Sequence, residues 1–276
     1  MSYTITCIGA GNMGSALMKA AARVIGGAAI GVTDADSAKA ASFASELGGG
    51  ALASNAEAVA EGRFVLLAVK PQVAETVLAQ IGPVLGRRLQ EGNPAVLVSI
   101  VAGLSIATMK RYLVEAGCKG NQPVIRLMPN TPALVAKGMI ALSASKEVSA
   151  EAVQELETML SQAGIIDRID ETYMDAVTAL SGSGPAFVYL FIEALADAGV
   201  RAGLSRDKAL RYASRTVLGA AAMVEETGLH PGLLKDGVAS PAGTTIAGIA
   251  ALEEHAFRGT VMAAVDAAFR RAKELG

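Results

Sequence analysis

The run "YTITCIGAGNMGSALMKAAARV", Tyr3–Val24, decides the fold. Its left part, Tyr3 to Gly9, is a short apolar stretch that reads as a strand. From Asn12 onward Ala, Leu and Met recur at helical spacing. Between the two, Gly9, Gly11 and Gly14 satisfy G-x-G-x-x-G in the strand-turn-helix setting that gives the pattern meaning. The first glycine permits a tight turn, the second lets backbone approach a pyrophosphate, and the third lets the helix pack closely on the strand. A diphosphate would then sit on free N–H groups at the helix start. The stretch predicts a dinucleotide-binding βα unit in which Gly9, Ala10, Gly11, Asn12, Met13 and Gly14 surround the phosphates.

Working outward, further strands are expected at 28–34, 63–69, 95–101, 122–132 (with a turn), 138–144 and 164–169. Helices are expected at 12–24, 36–47, 72–85 and, capped by Ser149, to Leu160. Continuous apolar strands separated by helices argue a mostly parallel sheet covered on both faces. After Asp170 the pattern is helix only, at 173–180, 184–202, 205–226, 231–238, 244–254 and 257–275. The expected architecture is an α/β dinucleotide-binding Rossmann domain, residues 1–169, followed by an all-α domain, residues 170–276, to which the resemblance given below assigns dimerisation and substrate binding. In helix 205–226 the apolar residues form more than one stripe, so that helix needs partners on several sides, some from a second subunit. There is no internal repeat, low-complexity tract or long linker.

Asp34 closes the second strand about 20 residues past the last motif glycine, where an acid accepts from the adenosine ribose 2′-OH and favours NAD(H). Two readings compete: Asp34 also opens "DADSAK", a helix-capping stretch, and Lys39 is placed to reach a phosphate. Val69, Lys70 and Pro71 follow the strand at 63–69 on the same sheet edge and are expected to border the cofactor, with Asn55 in the same set.

At 276 residues the chain can bury a large core without staples. Apolar residues are 52 % of it, aromatics only 4 %, with no Trp, so the core is built from small and aliphatic side chains that let helices approach closely. Mean hydropathy is +0.42, yet the most apolar stretch, Pro185 to Ile192, is interrupted by Glu193 and is far shorter than a span. A soluble, cytoplasmic protein without a targeting peptide is expected. The net charge of −2, with both signs dispersed, offers no basic stripe for nucleic acid. Cys7 and Cys118 belong to no metal-spaced or CxxC set, and Cys7 reads as a small core residue. No metal site is expected.

Three later stretches sharpen the function: "MPNTP" (Met128–Pro132), "DAVTALSGSGPAF" (Asp175–Phe187) and "LLKDGVASPAGTTIAGIAALE" (Leu233–Glu253). In this order and spacing the chain resembles pyrroline-5-carboxylate reductase, end to end. Ser240, Gly243, Thr245, Gly248 and Glu253 fall on the family's signature. The resemblance implies NADH or NADPH as reductant, reduction of 1-pyrroline-5-carboxylate to L-proline as the last step of proline biosynthesis, a homodimer through interlocking helical domains, and in many members a pentamer of dimers. By resemblance, Thr245 touches the substrate ring nitrogen or carboxylate, and Asn130 lies at the nicotinamide end.

The chemistry fits the residues. A carboxylated cyclic imine requires an anion clamp, which backbone N–H groups of Gly243, Thr244 and Thr245 at a helix start can supply. Plain N-capping by Ser240, Thr244 or Thr245 is the other reading of these residues. Ser181 and Ser183, in the turn before Pro185, are expected to face nicotinamide and substrate. His230 and His255 lie in no motif and read as helix-end or surface residues. Glu193 and Asp197 read as a polar stripe. A ketone reductase needs a positioned acid, whereas an imine arrives protonated, so hydride transfer can rest on proximity and orientation. The alternatives are a reductase of another cyclic imine carboxylate, such as the six-membered one, and a non-catalytic dinucleotide sensor. A β-hydroxyacid dehydrogenase-like enzyme would want Lys-x-x-x-Asn where this chain has "LSGSGPAFVYLF".

Overall fold

The computed structural model describes residues 2–275; the outer limits 1 and 276 of the expected domains lie outside them. The chain divides into two compact units. One runs to Gly182 and includes the chain from Phe269 onward; the other is Ser183–Ala268. The division falls about a dozen residues later than the change to helix-only sequence, because the first helical turns after Asp170 remain with the sheet.

In the first unit the strands are β1 (Tyr3–Ile8), β2 (Ile30–Thr33), β3 (Gly50–Ala51), β4 (Gly62–Leu67), β5 (Val96–Ser99), β6 (Val124–Met128), β7 (Gly138–Ala144) and β8 (Gly164–Arg168). They form one sheet in the order β3-β2-β1-β4-β5-β6-β7-β8. β3 through β6 are mutually parallel, β7 runs antiparallel to β6, and β8 is parallel to β7. The helices of this unit are α1 (Asn12–Ile25), α2 (Ser37–Leu47), α3 (Asn55–Glu61), α4 (Pro71–Gln90), α5 (Ile106–Glu115), α6 (Ala150–Leu160) and α7 (Met174–Val177). β3, α3 and α5 were not expected from the sequence. β3 and α3 are short, whereas α5 is a ten-residue helix capped by Ser105; α3 announces itself only by its cap: Ser54 Oγ accepts from Glu57 N–H while Glu57 accepts from Ala53 N–H. Ser149 caps α6 as expected, its Oγ accepting from Ala152 N–H.

The sheet is covered on both faces because alternate residues point opposite ways. Ile5, Cys7, Phe64, Leu66 and Val98 pack with α1, α2 and α6 on one side. Ile8, Val65, Leu67 and Leu97 pack with α3, α4 and α5 on the other. The chain leaves β1 toward β2 on one side and returns to β4 on the other. The crevice beyond the carboxyl ends of β1 and β4 is thus the topological switch point.

The helix expected at 173–180 is present, with irregular pitch. A 3₁₀ turn (Glu171–Tyr173) leads into α7, and a π-helical segment (Thr178–Gly182) ends the unit. With the helix that follows, residues Glu171–Arg201 make a helical run of 31 residues whose most apolar 18-residue window has mean hydropathy 1.3, long and apolar enough to cross a membrane by length and composition. That run is longer than the apolar octet suggested.

The second unit contains α8 (Gly184–Arg201), α9 (Arg206–Thr227), α10 (Pro231–Gly237), α11 (Thr244–Glu254) and the first part of α12 (Phe257–Leu275). α8 and α9 meet through small residues: a Cβ added to Gly199 would lie 3.0 Å from Ala209 Cβ. The buried cluster here is only Ala196, Ala209 and Ala213, whereas Tyr189, Leu190, Leu210, Leu218 and Met262 are exposed. As expected from its several apolar stripes, α9 finds little cover within the chain.

Candidate active site

β1 and β4 end level with each other, Ile8 pairing with Leu67, so their following loops start side by side. Gly9 N–H donates to Thr33 O at 2.8 Å and Ala68 N–H to Ile8 O at 2.9 Å. The three motif glycines then differ in what surrounds them. Gly9 has φ +104°, and a Cβ there would meet Ala68 O at 2.5 Å. Gly14 is wedged on the strand, where a Cβ would meet Gly9 O at 2.7 Å and Ala68 Cβ at 2.8 Å. At Gly11 a Cβ would meet no protein atom within 4 Å. Two glycines serve the fold, and the third leaves space beside the helix start.

Gly11 is also the N-cap of α1, so no side chain occupies the first N–H groups there, and the first turn holds no acid. Asn12 and Met13 open the helix; Asn12 is exposed and Met13 packs on the core. Their N–H groups lack intrahelical partners and point into an anion cradle. A cavity of about 750 Å³ lies against this cradle, lined by Gly9, Gly11, Asp34, Lys39, Asn55, Val69 and Lys70 among others. Asn55, the second-strand acid and the Val69–Lys70 loop are thus brought to one place. Sequence reasoning missed the far wall, Thr76 and Gln80, which share one face of α4 with Val73 and Val77. Gln80 Oε1 accepts from Asn55 Nδ2 at 2.7 Å, so both line one side.

Asp34 follows directly after β2. Its Oδ2 accepts from Ala10 N–H at 2.7 Å and its Oδ1 from Asp36 N–H at 3.0 Å, with Lys39 Nζ 3.7 Å away. Burial works against its charge, but the N–H groups of Asp36 and Ala10, with Lys39, outweigh it and hold the carboxyl below its ordinary value. The cap of α2 is Asp36, which accepts from Ala38 and Lys39 N–H, so Asp34 is left facing the cavity. Ala10 reaches the cavity only through Asp34, and Gly14 lies buried behind it. Pro71 is the first residue of α4 and borders a smaller neighbouring cavity with Gly103 and Tyr112. Cys7 is the core residue expected, its Sγ donating to Gly9 O at 3.2 Å; burial, with the Asp34 charge, pushes the thiol up to about 12.

Asn130 is buried near the end of β6. Its Oδ1 accepts from Met139 N–H at 2.9 Å and its Nδ2 donates to Ser181 O at 3.0 Å. The Ser181 hydroxyl donates to Val177 O at 3.1 Å.

In the second unit Gly243 is the N-cap of α11, so the helix holding Thr244 and Thr245 begins without a side chain on its first N–H groups. A Cβ on Gly243 would meet Ser240 Oγ at 2.2 Å, and Gly243 N–H donates to Ser240 O at 3.1 Å. Ser240 therefore fixes the approach to the helix. Ser183 precedes α8, with Pro185 in that helix's first turn, where proline is tolerated. His230 and His255 are exposed and at helix ends, His230 Nδ1 accepting from Gly232 N–H at 3.0 Å. Asp197 pairs with Arg206.

Comparison with known proteins adds to this geometry. Residues 171–275 match the family described as "Pyrroline-5-carboxylate reductase dimerisation", and residues 4–103 match "NADP oxidoreductase coenzyme F420-dependent". A pyrroline-5-carboxylate reductase from Pisum sativum is 42 % identical over 276 residues, covering 99 % of this chain and 96 % of that protein. The structure of a pyrroline-5-carboxylate reductase from Coxiella burnetii superposes with a TM-score of 0.89 at 30 % identity, over 100 % of this chain and 99 % of that one. A Plasmodium falciparum pyrroline carboxylate reductase with NADP bound gives 0.84 at 32 % identity, over 99 % and 98 %.

Proposed function

The chain belongs to the pyrroline-5-carboxylate reductase family, and from that membership we propose that it reduces 1-pyrroline-5-carboxylate to L-proline, the last step of proline biosynthesis, with NADH or NADPH. The observation that carries this reading is the cradle at Gly11: backbone N–H groups at an uncapped helix start, no Cβ in the way, and a 750 Å³ cavity beyond. These residues fit a dinucleotide diphosphate. Bound reduced nicotinamide supplies the hydride that the imine carbon takes up.

The chain's own residues bind and orient. The α1 N-terminus holds the diphosphate, Asp34 and Asn55 border the adenosine side, and Val69 and Lys70, in the loop after β4, border the cofactor. N–H groups of Gly243, Thr244 and Thr245 hold the substrate carboxylate, and the Thr245 hydroxyl, with Ser181 and Ser183, contacts the ring. The imine nitrogen arrives protonated, so no acid or base is required to deliver a proton to it, and it needs only a polar neighbour. Catalysis then rests on proximity and orientation.

The exposed apolar faces of α8 and α9 support a homodimer, and pairs assemble further into a pentamer of dimers. Covering these faces with a second copy also accounts for the apolar run 171–201 without a membrane. The reading places the protein in the cytoplasm, with no nucleic-acid or membrane partner.

The experiment is to mix the protein with pyrroline-5-carboxylate and follow the loss of NADH and of NADPH absorbance. Turnover with either supports the proposal. Bound cofactor without oxidation of either would make the chain a dinucleotide sensor instead.

A further inference from the structure

The π-helical segment Thr178–Gly182 has a cause in the sequence. In a continuous α-helix the Ser181 carbonyl would accept from the N–H of residue 185, but residue 185 is proline. Proline has no N–H, and its ring crowds the carbonyl four residues earlier. That carbonyl has no helical donor, and, half-buried, it takes another. Widening the helix to a π turn lets it swing outward. The donor it finds is Asn130 Nδ2, at 3.0 Å.

Asn130 suits this task because its amide has one end of each kind. Met139 N–H can only donate, so it fixes the amide's oxygen, and the nitrogen is thereby aimed at Ser181 O. The side chain is 9 % exposed, so the amide is clamped between β7 and the turn. Met128, at the end of β6, also packs against the turn: a Cβ on Gly182 would meet Met128 Cε at 2.8 Å.

We propose that Asn130 is a positioning residue, which supplies the hydrogen bond that Pro185 denies to the Ser181 carbonyl and so fixes the turn carrying Ser181. The catalytic part of this inference rests on the reading above that the Ser181 turn borders the substrate; the structural part does not.

The test compares wild type with Asn130→Asp, which keeps an acceptor for Met139 N–H but presents no donor to Ser181 O, and with Asn130→Asp/Pro185→Ala, which returns an N–H at residue 185. Asn130→Ser serves in place of the aspartate if that variant does not fold. Faster hydrogen exchange at amides 178–184, an unchanged dissociation constant for NADH or NADPH, and a fall in kcat/KM for pyrroline-5-carboxylate of about 10- to 100-fold are expected. In the double variant Tm recovers, while kcat/KM stays low, because the restored α-helical bond straightens the turn.

Unchanged exchange and kcat/KM would overturn the proposal. So would weakened cofactor binding with unchanged exchange, which would put Asn130 on the cofactor itself. Recovery of both Tm and kcat/KM in the double variant would reduce Asn130 to a stabilising contact. Should wild type fail to turn over pyrroline-5-carboxylate, the functional reading falls, and the exchange comparison still decides whether Asn130 holds the turn.

Discussion

Gly11 and Gly14 belong to one motif, but the structure gives them opposite jobs, and alanine at each separates the two. At Gly14 the new methyl would lie 2.7 Å from Gly9 O, 2.8 Å from Ala68 Cβ and 3.4 Å from Cys7 Sγ. Two of these contacts are well inside van der Waals distance, and their atoms are backbone or strand-borne, so they cannot rotate away. Overpacking of this kind costs about 1–3 kcal/mol, offset by roughly 1 kcal/mol of better helix propensity. Taken at the middle of that range, about 2 kcal/mol, the net loss is about 1 kcal/mol and lowers Tm by roughly 2–4 °C for a chain of this size.

At Gly11 the backbone is in the extended region, φ −74° and ψ 174°, which alanine adopts freely, and its methyl meets nothing. The apo protein should lose only about 0.5 kcal/mol, the difference between glycine and alanine at an N-cap. The methyl instead occupies the phosphate's place. Displacing two charge-assisted hydrogen bonds costs about 3 kcal/mol or more, which is at least about 100-fold in the dissociation constant. Thermal unfolding without cofactor and titration with NADH and NADPH read the two effects separately. A Gly11→Ala protein that binds both nucleotides within about twofold of wild type would refute the cradle, and an unchanged apo Tm for Gly14→Ala would refute the packing argument.

Three further outcomes are expected. Thr245→Val should lower kcat/KM for pyrroline-5-carboxylate by about 10-fold or more, the loss of one hydrogen bond to a charged group, with cofactor affinity intact; wild-type kinetics would remove Thr245 from the site. Asp34→Asn keeps an acceptor for Ala10 N–H but deletes the charge, so the ratio of NADPH to NADH efficiency should rise by about 10-fold, or roughly 1.4 kcal/mol; an unmoved ratio would show that Asp34 does not face the ribose. Lys110, 2.5 Å away, together with Ser145, lowers the Glu147 carboxyl from 4.5 to about 2. Because the folded value lies below the ordinary one, its contribution to stability is complete above pH 4.5 and disappears as pH falls toward 2. Glu147→Gln should therefore show a lower Tm than wild type at neutral pH and a difference that closes across that acid window.

Much of the nucleotide half was legible because each signal had a local cause. The β1 turn had to be glycine at Gly9 for its backbone and at Gly14 for its packing, and the strands had to be apolar on both faces to lie between helices. What escaped was set by non-local geometry or by very short elements. α3 spans only seven residues, and Thr76 and Gln80 join the cavity only because of the face that α4 turns to the β1/β4 crevice. The helix expected at 173–180 is present, but its succession of 3₁₀, α and π turns was not legible because Ala179 and Leu180 suit any helix. The informative residue was Pro185, whose effect falls four positions upstream of itself. Only resemblance placed Asn130 at the nicotinamide end; its hydrogen bonds to Met139 and Ser181 depend on segments 9 and 51 residues away that meet it only in the folded chain.

The second unit has one more consequence. Three alanines, Ala196, Ala209 and Ala213, are its buried cluster, while side chains as large as Tyr189, Leu190 and Met262 stay uncovered. On the homodimer proposed above, a newly made chain carries an adhesive face for as long as it waits to meet another. The proportion that matures rather than clumps is then a race between encounter with a like chain and encounter with anything else apolar, and the rate of synthesis enters its outcome. Protein yield should rise steeply with slower production and added chaperone, even though nothing in the sheet or its nucleotide cradle needs such help.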